Sequence, residues 1–443
     1  MDLNNVKFTW LEDSPKHWGQ KKVKHLFKYS KEKIENPKDY PILSLTMRGV
    51  KERDVSSNEG QLPDTFNGYS LLKKNQLVFN PMDLISGWVD STHIEGIISP
   101  SYRIIEPLSN DIIIGYYRYY FQKLYKEKVL FPFGEGVHYQ YRWGLGSVTL
   151  MNFPLLYPSK KEQQQIVSFL DDKTQKIDSL IKQKEKKIEL LKEKRISLIN
   201  HVVTKGLDSN MEMKDTGVEW IGEIPNHWEY GKIKFFVNYK KGYPFKSENM
   251  SDKGLPIIKV TSVKKLKINP PKTFYNGELL DKITIVKEGD IIITTVGSKY
   301  EVSNSSVGQL GLVEKEQNEF LLNQNTVSIR TIENSIVNNV FIFMCFQSKR
   351  FRNYLDIHSH GTVNQSSLNV DDILNFNISY PSHSEQQQIV EYLDKQTEEI
   401  DTLIKLEQKK IDTLKEYRQS LISEVVTGKI RVCKEDNSLS LNS

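Results

Sequence analysis

The chain has 443 residues, 38% hydrophobic and 10% aromatic, and a formal net charge of +5 from 61 basic and 56 acidic side chains. At roughly 150 residues per domain this is material for about three units with sizeable cores; wholesale disorder and a polycation that coats nucleic acid indiscriminately are both excluded. The two cysteines, Cys345 and Cys433, lie in no ligand spacing, so a disulfide framework and a cysteine zinc site are excluded too. No apolar run approaches the roughly 20 residues that span a bilayer, and the start of the chain has no signal-peptide character, so a cytoplasmic location without membrane contact is expected.

In chain order, a lead-in from Trp10 to Trp18 (WLEDSPKHW) opens a body of mixed character. Short runs bounded by turn residues predict strands at Gln76 to Phe79 and Gly96 to Ile98, and an aromatic stripe predicts a helix over Asp111 to Leu130. A gap-free charged segment follows from Tyr157 to Thr204. The lead-in then recurs from Trp220 to Trp228 (WIGEIPNHW), offset by 210. A second body follows, with predicted strands at Pro256 to Val260, Asp290 to Thr295 and Thr326 to Ile329, and a predicted helix over Ser335 to Leu355. The charged segment recurs from Tyr380 to Thr427, offset by 223 and identical at 30 of 48 positions. The chain is a tandem duplication whose ends stayed alike while the bodies diverged.

Each charged segment predicts one long helix. Ser159 with Glu162 and Ser382 with Glu385 form capping boxes, Pro158 and Pro381 stop any upstream helix, and no Gly or Pro occurs before Gly206 and Gly428. A mostly apolar stripe recurs at heptad spacing through Leu170, Thr174, Ile177, Ile181, Lys184, Ile188, Leu191, Arg195, Leu198 and Val202. The second copy gives Leu393, Thr397, Ile400, Ile404, Glu407, Ile411, Leu414, Arg418, Leu421 and Val425. One seam position changes sign, Lys184 against Glu407. Residues 156–207 carry 12 basic and 7 acidic side chains, and residues 381–443 carry 9 and 12. Opposite charge favours pairing of the two helices within one chain, antiparallel, so that Lys184 meets Glu407 near mid-length.

Several loops mix basic, amide and aromatic residues suited to DNA, because Arg, Asn and Gln read base edges while Lys, Ser and backbone amides hold phosphates. In the first body the candidates are Ser101, Tyr102 and Arg103, then His138, Tyr139, Gln140 and Arg142. In the second they are Lys241, Tyr243 and Lys246; Ser298, Lys299 and Tyr300; Asn323, Gln324 and Asn325; and His360, Thr362, Asn364 and Gln365. Net charge is about +3 on 1–155 and zero on 208–380, which places much of the electrostatic grip on partners.

Catalytic patterns fail. Asn269-Pro270-Pro271-Lys272 lacks the aromatic fourth residue that stacks a flipped base in adenine methyltransferases. No P-loop or histidine metal cluster occurs, and the pairs Asp171-Asp172 and Asp371-Asp372 are placed near helix starts, where carboxylates favour the dipole. The chain reads as non-catalytic, with no cofactor of its own.

The layout resembles the DNA-specificity subunit of Type I restriction–modification systems over nearly the whole chain. The residues that carry the resemblance are Trp220 to Trp228, Tyr380-Pro381, Glu385 to Ile389 and Tyr392-Leu393-Asp394. Their first-half counterparts are Trp10, Pro15, His17, Trp18, Tyr157-Pro158, Glu162 to Ile166 and Phe169-Leu170-Asp171. The resemblance implies an α+β fold: two mixed α/β target-recognition domains separated by two long helices that pair as an antiparallel coiled coil. The expected boundaries are 1–156, 157–207, 208–379, 380–430 and a tail at 431–443. It further implies that each domain reads half of a split target in double-stranded DNA. Two modification subunits would dock on the helices with S-adenosylmethionine, and two restriction subunits would add ATP- and Mg-dependent chemistry. A coiled-coil assembly scaffold without direct DNA readout fits the same helices, and a salt-dependent shift with duplex DNA separates the two readings.

Overall fold

The computed structural model describes residues 8–30, 32–34, 39–54, 65–85, 87–138, 142–219, 221–269, 271–278, 283–298, 307–314, 319–362 and 365–432; at 9, 10, 137, 138 and 142 it describes the backbone alone. The chain forms two compact units, residues 1–184 with 409–443 and residues 185–408. Each combines one body with a segment of both long helices, Lys160–Lys205 and His383–Val426.

In the first unit the body is opened and closed by one antiparallel pair, Gly19–Lys22 against Pro154–Tyr157, with Gly19 opposite Tyr157. Inside lie two four-stranded sheets. One runs in the order Phe27–Tyr29, Arg103–Pro107, Leu77–Phe79, Val89–Ser91; the other runs Gly49–Glu52, Ile42–Thr46, Gly96–Ile98, Ser70–Leu72. The helix Ile114–Lys126 buries Tyr116, Tyr117, Tyr120 and Phe121, with Phe121 edge-on to Phe79 at 4.9 Å and Tyr117 edge-on to Phe27 at 5.2 Å. Burial drives the Tyr117 phenol pKa far up. The helix ends earlier than its apolar pattern predicts. Lys128 adopts φ +56, and the amides of Lys128 and Val129 donate back to the carbonyls of Tyr125 and Leu124, a Schellman stop formed without glycine.

The second unit repeats the device. Glu229–Lys232 pairs antiparallel with Asn377–Tyr380, which leads into the second long helix. A six-stranded sheet runs Val237–Lys241, Thr326–Thr331, Ile291–Thr294, Leu310–Leu312, Leu266–Ile268, Val263–Lys264. A five-stranded sheet runs Met250–Ser251, Phe274–Tyr275, Leu255–Ile258, Phe320–Leu322, Ile285–Val286. The predicted helix over Ser335 to Leu355 is two helices, Asn339–Phe346 and Lys349–His358. Ser348 breaks it: its backbone is extended, its Oγ accepts the Phe351 amide at 3.2 Å, and it donates to the Cys345 carbonyl at 2.7 Å.

The two bodies share more than their sequences suggest. The 210 offset continues through 3₁₀ turns at Val23–His25 and Ile233–Phe235, whose first amides donate to Phe153 and Phe376 carbonyls at 3.0 and 2.9 Å. Beneath them Val23, Leu26 and Phe27 are buried, as are Ile233, Phe236 and Val237. Burial is kept at each position while size and identity drift.

The long helices run antiparallel within each unit. In the first, Leu170 and Ile177 share a core with Leu421 and Val425, and Arg418 meets Asp178 at 2.9 Å. In the second, Lys187 meets Glu407 at 3.0 Å and Arg195 meets Asp401 at 3.2 Å. The seam positions are buried or half-buried along their length. Glu407 is itself buried, 4% exposed at the side chain, and Lys187, nearly one turn beyond Lys184, reaches it from a solvated position. Near the helix starts the buried face broadens to include Ile166 and Ile389, because each body packs there. Asp171 stands well past the first turn, and its carboxylate serves Arg118 at 3.0 Å and Tyr119 at 2.6 Å rather than a helix dipole; Asp371 and Asp372 do lie in the first turn of Val370–Leu374. Among the described residues no helix is long and apolar enough to cross a membrane.

Candidate nucleic-acid interface

Two duplicated polar clamps fix each body to a long helix. In the first unit the Trp18 indole donates to Glu162 Oε1 at 2.9 Å, and His17 Nε2 lies 2.8 Å from the same oxygen. The other carboxylate oxygen accepts from the Ser159 hydroxyl at 2.6 Å and its amide at 3.0 Å, closing the capping box. Partial burial pushes the Glu162 carboxyl up, but the hydrogen bonds from Ser159, His17 and Trp18 outweigh it and bring its pKa down to about 2. In the second unit Trp228 donates to Glu385 at 3.1 Å, His227 lies 2.8 Å from it, and the Glu385 amide donates to Ser382 Oγ at 3.4 Å.

The next residue forms the second clamp. Gln163 and Gln386 are fully buried. Gln163 accepts the Ile113 amide at 2.9 Å and donates to the carbonyls of Asp111 and Pro158. Gln386 accepts the Asn338 amide at 2.7 Å and donates to those of Ile336 and Pro381. Each glutamine thus satisfies the backbone where the body's own helix begins.

On these mounts the second body brings its candidate loops together. The Lys240–Phe245 stretch crosses the Asn323–Asn325 turn: Tyr243 and Asn323 form a parallel bridge, the Tyr243 amide donates to Leu322 at 2.7 Å, and the Gln324 amide donates to Tyr243 at 3.1 Å. Gly242 permits the crossing, since a Cβ there would stand 1.9 Å from the Asn323 carbonyl oxygen. Asn323 is buried and its Oδ1 accepts the Asn325 amide at 3.3 Å, so it shapes the turn that presents exposed Gln324 and half-buried Asn325. Lys241 and Lys246 flank them, exposed.

Thr295 links this turn to the remaining loops. Its amide donates to the Asn325 carbonyl at 2.9 Å and its carbonyl accepts from Leu368 at 2.8 Å. Just beyond, Val296–Gly297, Gln365–Ser367 and His360–Thr362 form a three-stranded sheet carrying Ser298, Gln365, Thr362 and His360. His360 is 67% exposed, its Nε2 4.0 Å from Asp372. Lys299, Tyr300 and Asn364 lie outside the described residues.

In the first body, Ser101 is exposed, while Tyr102 is half-buried against the cluster around Leu43 and Ile98, which pushes its phenol pKa up. Arg103 donates to the Leu145 carbonyl and so ties its strand to the hairpin Gly134–His138 and Arg142–Leu145. Gly134 is required in that hairpin, because the Trp143 indole occupies the space of a Cβ. The backbone of His138 and Arg142 closes the hairpin; Tyr139 and Gln140 lie outside the described residues. Among the described residues no cluster of His, Cys, Asp and Glu could hold a metal ion. Sequence reasoning passed over the two glutamines and the Trp–His–Glu clamps as contacts. Their signal was available in the repeat, since Trp, His, Glu and Gln recur in both copies.

Comparison with known proteins bears on this arrangement. Residues 225–416 match the profile of the Type I restriction modification DNA specificity domain. The chain is 25% identical over 374 residues to the Type I restriction enzyme MjaVIII specificity subunit of Methanocaldococcus jannaschii, covering 82% of each. It is 23% identical over 297 residues to the EcoBI specificity subunit of Escherichia coli, covering 65% of this chain and 60% of that one. Among solved structures, a chain from work on complex assembly and conformational transition of the type I R-M system superposes with a TM-score of 0.70 at 12% identity, over 94% of this chain and all of that one. The HsdS subunit from Thermoanaerobacter tengcongensis superposes at 0.50 and 11% identity, over 94% and 98%. At these identities the structural matches establish the fold.

Proposed function

Because the chain belongs to the specificity subunits of Type I restriction–modification systems, non-catalytic subunits that recognise DNA, we propose that it reads a bipartite, asymmetric duplex target, one half-site per body. In this reading residues 1–156 and 208–379 are the two readers, 157–207 and 380–430 the spacer, and 431–443 a tail. The bodies share their mounts and differ in their loops, so the half-sites differ while the gap follows the helices. The observation that carries the reading is the joined surface of the second body, where Tyr243, Gln324 and Asn325 meet through backbone hydrogen bonds with Lys241 and Lys246 beside them. Amides suit base edges, lysines suit phosphates, and the aromatic supplies an apolar face.

The duplicated mounts supply two equivalent surfaces, and two modification subunits dock there, bringing S-adenosylmethionine. Two restriction subunits complete the assembly with ATP and Mg, and the complex works in the cytoplasm. The test is a mobility shift of the chain, alone and with its modification subunit, on duplex DNA over a salt series. Salt-dependent binding that becomes sequence-selective in the complex is expected, whereas assembly with no DNA contact by this chain favours the scaffold reading.

A further inference from the structure

Charge in the second body balances, 20 basic against 20 acidic residues over 208–380, but it is segregated. From Ile257 to Thr273 there are five lysines and no carboxylate. The fold wraps this segment round an open cavity of about 500 Å³ lined by Lys259, Lys264, Lys265 and Lys272, with Thr261 and Asn269 between them. Among the described residues none of these four lysines is within ion-pair distance of an acid. The fifth, Lys267, is held by Glu314 at 2.9 Å and does not line the cavity. Lys264 and Lys265 sit at a tight hairpin turn between Val263–Lys264 and Leu266–Ile268. There Lys265 and Leu266 adopt φ +54 and +64, a conformation usually left to Gly, Asn or Asp.

Position gives the cluster a meaning. Lys259 directly follows the strand Leu255–Ile258, which lies parallel to Phe320–Leu322, and the Asn323 amide donates to the Ile258 carbonyl at 3.1 Å. The cation cavity and the Gln324–Asn325 turn are therefore carried by two neighbouring strands. Lysine is a compact point charge well suited to holding phosphate.

We propose that this cavity is a phosphodiester-backbone site for the DNA strand whose base edges face the neighbouring amide turn; this rests on the reading that the second body binds duplex DNA. The body then supplies its own electrostatic grip, hidden by a net charge of zero. The test measures binding of the full-length chain to a random-sequence duplex over a salt series. The triple substitution Lys264→Gln, Lys265→Gln, Lys272→Gln is expected to lower the slope of log K against log salt by about 2 to 3, roughly one phosphate per lysine, and Lys267→Gln to leave it unchanged. Melting temperatures check folding, and if the triple variant is destabilised, Lys272→Gln alone is expected to lower the slope by about 1. An unchanged slope in a folded variant, or an equal fall in Lys267→Gln, overturns the inference while wild-type binding leaves the reading of the body intact. A wild-type chain that binds no duplex overturns both.

Discussion

The Trp18 indole and the first-turn carboxylate of Glu162 lie 2.9 Å apart, and Trp228 and Glu385 repeat the contact at 3.1 Å. The lead-ins are offset by 210 and the helices by 223, so the bodies between differ in length, yet the same contact closes over both. A closure indifferent to what it encloses allows the bodies to diverge on fixed mounts.

The depressed Glu162 pKa gives this clamp a pH signature. A carboxylate held below its ordinary 4.5 contributes stability that is present above that value and lost as pH falls towards about 2. Glu162→Gln is expected to lower the urea midpoint of the first unit, followed by tryptophan fluorescence, at neutral pH. The gap from wild type should close between about 4.5 and about 2. A gap constant across that range would contradict the assignment.

Gln163→Leu and Gln386→Leu keep approximate volume and strand buried backbone groups. Each is expected to cost about 1–3 kcal/mol, confined to its own unit. Hydrogen exchange checks this at Ile113 and Asn338, the amides that each glutamine accepts; unchanged protection there would be inconsistent with the clamp.

The helices, caps and seam were legible because their causes are local: heptad spacing, Ser-x-x-Glu boxes, and Pro and Gly at the ends. The break at Ser348 was not, because a serine inside an apolar stripe declares itself a cap only through its backbone conformation. The lysine cavity was hidden for another reason. Net charge averages over a body, and only the fold, with its hairpin at Lys264–Lys267, gathers four of the five lysines of one short segment round a common space. Among the candidate loops, composition did not separate side chains that face solvent, such as Gln324, from Asn323 and Arg103, which hold the backbone.

The contact between Lys187 and buried Glu407 predicts charge-specific pairing. Lys187→Glu is expected to destabilise the chain and Glu407→Lys in the same chain to restore part of the loss, with a coupling of about 1 kcal/mol in a double-mutant cycle. Strict additivity would dissociate the two residues.

Lengthening both long helices by about four residues each adds roughly 6 Å of spacer. The expected outcome is a longer unread gap with both half-sites unchanged, checked by mapping methylated positions. Altered half-sites with an unchanged gap would contradict the spacer role.

The central claim, one half-site per body, is tested most directly by long-read methylome mapping of cells that express this chain with its modification subunit. The comparison chain has residues 229–379 replaced by the corresponding body of another specificity subunit. The account predicts a two-part asymmetric motif in which the replacement changes one part and leaves the other part and the gap intact. A motif that does not respond to the replacement, or that changes in both parts, would contradict it.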